Sequence, residues 1–513
     1  MTPHPGDDGP REPAEVPGLV VALRDDLTAA GYTVHRVEGL LGPVARAALM
    51  RDQILPADLA TRDHPGALAV LVRVFALGRT VTRGALDAAL PALGTSGAVE
   101  LGLVELAQGA EGAEAGVRPR CDLRPYGDEA HDWWVASDLS EASTGVPLLP
   151  THVLGIGAAS TTAAQWTIRR RVRSALDLGT GCGVQSLHLA DHAERIVATD
   201  VSARALAYAR FNATLAEIDL DLRDGSLLDP VEGERFDLVV SNPPFVITPR
   251  GEGVPLYEYR DGGLVGDGLV ESLVRDVGEH LEPGGVAQFL GNWEVAAGAS
   301  WRERWTGWLH GTGLDAFVVQ REQQDPAEYA ELWARDGGSR PGVDGFTDLY
   351  AAWLADFSAR GVERIGFGVV TLQRPTTERD PWVDLVEVTG PVAPALGATV
   401  EAALAARTWL AEHDDADLLA VSWRCADDVT QESHGRFGEE DATVVLARQG
   451  GGLRRDVRLD TVTAGLLSVC DGTLPAAVAL AAIAVLLERD AGAVVSAALP
   501  FLRDLVADGL LVR

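Results

Sequence analysis

Lysine is absent from this chain of 513 residues: all 43 basic positions are arginine. Chemistry that needs a lysine amine is therefore out of reach, including the P-loop phosphate lysine, the pyridoxal Schiff base and the kinase-type phosphate lysine. Cysteine is scarce as well. Cys121, Cys182, Cys425 and Cys470 lie far apart with no C-x-x-C spacing, which argues against a disulfide scaffold or a zinc ribbon. No apolar run is long enough to cross a bilayer; the longest, Leu474–Leu487, stops at Glu488-Arg489-Asp490. The polar N-terminal residues hold no apolar core of a secretory signal, so the expected location is the cytoplasm, with no membrane partner. Positive charge is short too: 75 acidic residues give a net charge of -32. Such a surface repels phosphodiester backbones, and nucleic-acid contact would need a local arginine patch acting against the global field.

What is present is ample apolar material. A hydrophobic content of 47%, with ordinary Gly (56) and Pro (27), is enough for two to four domains. Residues 1–17 read as a disordered tail. Residues 18–147 read as a helical, winged-helix-like domain. Ala67, Val70, Val74 and Leu77 recur at helical spacing, and two strand-like pieces follow, Val117–Leu123 and Trp133–Ala136. From 148 to 375 short apolar strands alternate with helices, the mark of a parallel α/β sheet. Seven strands are expected there: Ser174–Leu178, Arg195–Thr199, Leu220–Leu222, Asp237–Ser241, Val286–Gly291, Ala316–Gln320 and Ile365–Leu372. Residues 322–364, between the last two, form an insert of two helices that a plain hairpin would not need. Residues 376–513 read as a separate α+β domain. It opens with strand Trp382–Val388 and helix Val400–Leu410, carries acidic stretches at Asp414–Asp417 and Glu439–Asp441, and closes on a winged-helix-like end.

The strongest local signal is Asp177-Leu178-Gly179-Thr180-Gly181-Cys182-Gly183, a buried strand ending in D-x-G-x-G-x-G and running into a helix. Glycines at alternate positions let backbone pass close beneath a ligand. With Val at 184 the spacing departs from the dinucleotide fingerprint G-x-G-x-x-G. Strand Arg195–Thr199 then ends in Asp200, 17 residues past Gly183, where a carboxylate can accept from both ribose hydroxyls or cap the next helix. Asp224-Gly225-Ser226 follows the third strand.

The deciding element is Asn242-Pro243-Pro244-Phe245 at the end of strand Phe236–Ser241. Two prolines stiffen the turn and leave carbonyls as acceptors. Asn242 offers an amide oxygen and Phe245 a flat face, a trio suited to a planar NH2 group such as a nucleobase amine or a glutamine amide. Acceptors at Asn242 Oδ1 and the Pro243 carbonyl would draw its hydrogens out of plane and localise the lone pair for attack. Phe245 would hold the substrate plane.

In these motifs, their order and their spacing, the chain from about Thr151 to Gln373 resembles class I S-adenosylmethionine-dependent methyltransferases. It is similar to the small-methyltransferase-domain group, which includes HemK-type protein glutamine methyltransferases and ribosomal RNA guanine methyltransferases. The resemblance implies an α/β, seven-stranded Rossmann-like fold and S-adenosyl-L-methionine as cofactor. It implies cofactor contacts at Asp177, Gly179, Thr180, Gly181, Gly183, Asp200, Val201, Gly225, Ser226 and Asn242. Catalytic roles fall to Asn242, Pro243, Pro244 and Phe245, with no metal. The implied activity is N-methylation of a planar NH2 group on a macromolecule. Flanking winged-helix-like modules and the run Arg169-Arg170-Arg171-Val172-Arg173 tilt the substrate slightly toward a nucleobase in RNA or DNA. Net charge, and Val246 where many RNA enzymes have histidine, tilt it toward a protein glutamine, as on a translation factor. A third reading is a cofactor-binding scaffold without catalysis, against which the intact Asn242 and glycine loop argue.

Weaker features remain two-sided. His152–Thr162 covers the cofactor or is a plain Gly/Ser/Thr-rich loop, and Tyr257–Gly268 belongs to the substrate mouth, with Arg260 and Asp261 either meeting substrate or forming an exposed ion pair. Trp301, Trp305 and Trp308 fall at helical spacing, as a packing face does. His188 and His192 share an i,i+4 spacing but lack a third ligand for zinc.

Overall fold

The computed structural model describes residues 12–107, 112–128, 130–251, 254–393, 395–437 and 444–513. At its centre lies an eight-stranded sheet made of β1 (Val172–Leu178), β2 (Ala193–Asp200), β3 (Asp221–Asp224), β4 (Phe236–Ser241), β5 (Leu281–Ala296), β6 (Asp315–Gln324), β7 (Val362–Gln373) and β8 (Val383–Glu387). Their order is β8-β6-β7-β5-β4-β1-β2-β3. β7 runs antiparallel to β5 and β6, whereas the other pairings are parallel. The chain moves outward from β1 to β3 and then returns to β4, so the order reverses between β1 and β4. A crevice at that reversal, beyond the strands' carboxyl ends, is where open α/β sheets hold ligands.

The strands are near-continuous apolar runs because both faces are covered. On one face Val239, Phe289 and Val318 pack with α4 (Gly268–Asp276) and α5 (Trp301–Leu309). Trp301, Trp305 and Trp308 are all buried there beside Trp293, as a packing face. On the other face lie α1 (Ala158–Trp166) and the helix Leu396–Glu412, whose Leu396, Val400 and Leu404 recur every four residues and bury against the sheet's apolar side chains. The remaining helices of this unit are α2 (Val184–Leu189), α3 (Ala203–Ala216) and, in the insert, α6 (Pro326–Asp336) and α7 (Phe346–Ala359).

The sheet claims more of the chain than the sequence reading gives it. The strand at 382–388, assigned there to a separate domain starting at 376, is β8, paired in register with Ala316–Gln320 of β6. Arg379 donates to both carboxylate oxygens of the buried Asp315, at 2.7 and 2.5 Å, and so locks this edge. The C-terminal apolar core begins along the far end of the helix that packs on the sheet, with Trp409 and Leu410 against it. It gathers a three-stranded antiparallel sheet (Val429–His434, Val444–Gln449, Asp456–Leu459) and three helices (Thr461–Val469, Ala476–Leu486, Ala491–Ala507). Of the acidic stretches, Asp414 caps the helix Asp415–Ala420, and 439–441 lie outside the described residues.

The N-terminal region differs similarly. Residues 1–11 of the expected tail lie outside the described residues, but 12–17 are fixed: Ala14 N–H donates to the Leu101 carbonyl at 2.9 Å, Glu12 pairs with Arg204, and Pro17 opens a helix. The sheet of this region is shifted from the expected strands. Strands Val81–Thr82, Val104–Leu106 and Gly116–Pro119 form a sheet in the order first-third-second, with helices Arg83–Ala89 and Gly94–Glu100 between the first two. The piece expected at 117–123 is split, because Arg120 and Cys121 break the run. The second half joins a separate hairpin, Asp122–Gly127 with Asp132–Ser137. That hairpin packs on α3, and one core runs from Leu23 and Phe75 through Trp133 to Leu187, Tyr208 and Phe211. Among the described residues no helix is long and apolar enough to cross a membrane.

Candidate active site

β1 ends at Leu178, and the chain turns through Gly179 and Gly181 at φ of 70° and 57°, a region unfavourable to side-chain-bearing residues. A β-carbon at either position would meet nothing within 4 Å, so the turn presents bare backbone to the space above it. Gly183 (φ 90°) has a different reason. A β-carbon there would stand in ordinary contact with Ala209 of α3 at 3.4 Å, so this glycine, at the left-handed start of α2, faces protein and not the open space.

Asp177 and Asp200 hold the turn from two sides. Asp177 is fully buried, and its Oδ2 accepts from Thr180 Oγ1 (2.6 Å), Ser186 N–H (2.9 Å) and Ser186 Oγ (2.7 Å). Burial pushes its carboxyl up to about 6. At the end of β2, Asp200 accepts from Gly181 N–H (2.9 Å) on one oxygen and Ser202 N–H (2.8 Å) on the other; burial raises its pKa, and nearby Glu258 adds to the rise. Both readings of Asp200 thus have a geometric basis: it holds the start of α3 and it faces the crevice. Asn212 of α3 joins the loop to the N-terminal hairpin, donating to the carbonyls of Cys182 (2.8 Å) and Ala136 (2.9 Å). The Cys182 thiol lies in the same core, pushed up to about 12 by burial, and is therefore unreactive.

The crevice over this turn is a cavity of about 1260 Å3 including its open mouth. Gly179, Thr180 and Gly181 line it, with Asp200 and Val201 from β2, Gly225, Ser226 and Leu227 after β3, and Asn242, Pro243 and Pro244 after β4. His152–Gly155 and Ser160 close one side, so the segment before α1 does cover the crevice; Glu258, Tyr259 and Asp261 form the mouth. Asn242 lines the cavity, and its Oδ1 is buried without a hydrogen-bond partner.

Three expected site residues are placed differently. Asp177 and Gly183 do not line the cavity; they shape the loop from beneath, because one carboxylate is spent on Thr180 and Ser186 and the glycine faces Ala209. Phe245 also lies outside the wall, edge-on to Trp333 of α6 (centroids 6.4 Å apart, 73°), while Tyr259 supplies the aromatic surface in the mouth. The Pro243 carbonyl already accepts Phe245 N–H at 2.7 Å, which leaves it one lone pair. Arg260 is buried, donating to Asp336 Oδ2 (2.7 Å) and the Trp333 carbonyl (2.9 Å), and Asp261 pairs with Arg250 (2.6 Å). The arginine run does not approach the site. It sits at the opposite end of β1, where Arg170 donates to the Gly284 carbonyl and Arg173 to Asp237.

The insert carries what the motifs could not reveal. Tyr329 of α6 is fully buried, and its phenol oxygen accepts from Ile247 N–H (2.9 Å) and from Asn292 Nδ2 of β5 (2.8 Å). Around it Trp353, Phe357 and Ile365 pack on Val246 and Ile247, so the insert braces the segment that follows Asn242. No local sequence signal marks Tyr329; its helix pattern is that of any amphipathic insert.

A parallel sheet with one reversed strand, a glycine turn after β1, an acid after β2 and Asn-Pro-Pro-Phe after β4 define a class I methyltransferase fold. Residues 159–298 match the methyltransferase small domain family, and residues 29–116 and 401–513 match two domains of unknown function, DUF7059 and DUF7782. The chain is 37% identical over 128 residues to the release factor glutamine methyltransferase of Koribacter versatilis, covering 23% of this chain and 45% of that protein. It is 31% identical over 199 residues to the Xylella fastidiosa protein of that name, covering 37% and 68%. It is 32% identical over 119 residues to ribosomal RNA small subunit methyltransferase C of Salmonella arizonae, covering 23% and 30%. Among solved structures, a T. thermophilus 16S rRNA N2 G1207 methyltransferase aligns at a TM-score of 0.26 and 15% identity, over 46% of this chain and 60% of that one. The chain spans about half the length of the curated relatives it matches. It belongs to the methyltransferase small domain family, and its cofactor is S-adenosylmethionine.

Proposed function

We propose that the protein is an N-methyltransferase acting on a planar NH2 group, and that this group is the side-chain amide of a protein glutamine. The observation that carries the reading is the buried, unpartnered Oδ1 of Asn242 in the cavity wall. The bare backbone of Gly179 and Gly181, with Asp200 and the Gly225–Leu227 turn facing the same space, fits S-adenosylmethionine. Bound there, the cofactor supplies an electrophilic methyl group. Asn242 Oδ1 accepts one hydrogen of the substrate NH2, and the remaining lone pair of the Pro243 carbonyl accepts the other. Together they bias the nitrogen's electron pair out of conjugation, a stabilisation that grows as the new bond forms. The prolines and the Tyr329 brace hold both acceptors in place, and orientation supplies much of the acceleration.

The amide is favoured over a nucleobase by what surrounds the cavity. Its lining includes Asp200, Glu258 and Asp261 and no arginine. The winged-helix-like reading of the N-terminal region favours the nucleobase as a second reading, yet the helix Gly94–Glu100 carries no basic residue to meet phosphates. The test is transfer of radiolabelled methyl from S-adenosylmethionine into lysate of a strain lacking the gene, followed by protease or nuclease. Label released by protease supports the amide; label released by nuclease makes the substrate a nucleobase.

A further inference from the structure

Three segments distant in sequence meet at the cavity mouth. The Glu258 N–H donates to the Pro150 carbonyl at 3.0 Å, joining 254–265 to 141–150. Tyr259 and Arg260 both bond to Asp336, joining the same loop to the end of α6. A β-carbon on Gly338 would overlap the Glu141 carboxylate, so the turn after α6 touches the first segment. These segments are well anchored, yet they expose large apolar side chains: Val146 (58%), Leu149 (49%), Leu256 (46%), Leu264 (44%), Val265 (62%) and Val343 (44%). Exposed apolar groups scattered singly need no account, but a set gathered around one catalytic mouth does. The charge there has one dominant sign: Glu258 and Asp344 are exposed with no ion pair among the described residues, and Arg340 is the exposed cation of the 337–345 turn.

We propose that this rim docks the substrate protein, and that it selects a glutamine flanked by apolar and basic side chains. The inference rests on the glutamine-amide reading and names the partner's surface. Apolar contact supplies affinity through burial, while Glu258 and Asp344 favour arginine or lysine and disfavour phosphate, so the mouth discriminates against RNA by charge. Glu258 belongs to both the rim and the cavity lining, which also includes Asn242, so a glutamine docked at the rim lies beside the cavity that Asn242 lines.

The test uses the full-length protein and two synthetic heptapeptides with central glutamine, one flanked by Leu, Val and Arg, the other by Ser and Glu. The expected kcat/KM is at least about ten-fold higher for the first and falls with added salt. Val265→Asp and Leu149→Asp, both at solvent-exposed positions, should each raise its KM several-fold, with kcat and cofactor affinity unchanged. Equal use of both peptides, or variants with wild-type KM, overturns the docking and leaves the amide reading standing. No transfer to either peptide by protein that binds S-adenosylmethionine overturns the docking. Label entering RNA of the lysate overturns the amide reading, and the docking with it.

Discussion

The Tyr329 phenol oxygen lies 2.9 Å from the backbone nitrogen of Ile247, five residues past Asn242, and accepts its hydrogen bond in a fully buried setting. A helix from an insert thereby fixes the segment that follows Asn242. Tyr329→Phe removes the acceptor and strands two buried donors, Ile247 N–H and the Asn292 amide. A loss of about 1–3 kcal/mol in stability is expected. If, as proposed, the loop also carries the substrate acceptors, kcat should fall more than KM, with S-adenosylmethionine affinity unchanged; denaturant unfolding and steady-state kinetics read the two effects.

Asn242→Ala deletes the open acceptor. Turnover should drop by about 10²–10³-fold or more, as when one preorganised polar partner is removed from a reacting centre. Calorimetric cofactor affinity should stay close to wild type. Equal loss of turnover and affinity would contradict the assigned role.

Asp200→Ala removes a carboxylate that faces the crevice and also holds Gly181 N–H. Hydrogen bonds to a charged group contribute about 1.5–3 kcal/mol each, so cofactor binding should weaken by roughly 10–100-fold. Titration of the variant with S-adenosylmethionine checks this; wild-type affinity would refute the contact.

Asp177 supplies a pH signature. Burial raises its carboxyl from the model-peptide value of 3.8 to about 6, so the folded state binds a proton that the unfolded state has released. This contribution is fully present below 3.8 and is lost as pH rises through 6, amounting to about 3 kcal/mol for a shift of this size. Asp177→Asn should abolish that part of the slope: the difference in unfolding free energy between wild type and variant should change between pH 4 and 7, favouring wild type most at the acid end.

Removal of residues 1–147 should not leave a well-folded enzyme. Leu187, Tyr208, Phe211 and Leu215 of α2 and α3 share a core with Leu23, Phe75 and Trp133, and truncation would expose them to water. Circular dichroism and gel filtration of the truncated chain should report lost cooperativity or aggregation. A monomeric, cooperative fragment would establish the N-terminal region as a separable domain.

Much of the sheet was legible because parallel strands buried on both faces leave short apolar runs with a clear punctuation. The seven expected strands appear within a few residues of their predicted limits, and β8 was visible as a strand, although its partner was not. The glycine turn, Asp200 and Asn242 were legible because each is a local constraint: a positive φ, a carboxylate at a strand end, a turn stiffened by two prolines. Phe245 sits apart from the cavity lining for a physical reason. A motif fixes where an aromatic ring begins, but what its face meets is decided by neighbours, here Trp333 from a helix almost ninety positions away.

By itself, then, the sequence determined the α/β architecture, the absence of lysine chemistry and the bare glycine turn after β1, since these follow from periodicity, composition and contacts between near neighbours. Only the tertiary structure decided that the insert braces the segment after Asn242, that the arginine run lies at the far end of β1, that the N-terminal region shares a core with α2 and α3, and that the helix Leu396–Glu412 shares one with the sheet. Each of those depends on which side chains meet across long stretches of chain, and burial and hydrogen-bond satisfaction choose those partners only once the whole chain has packed.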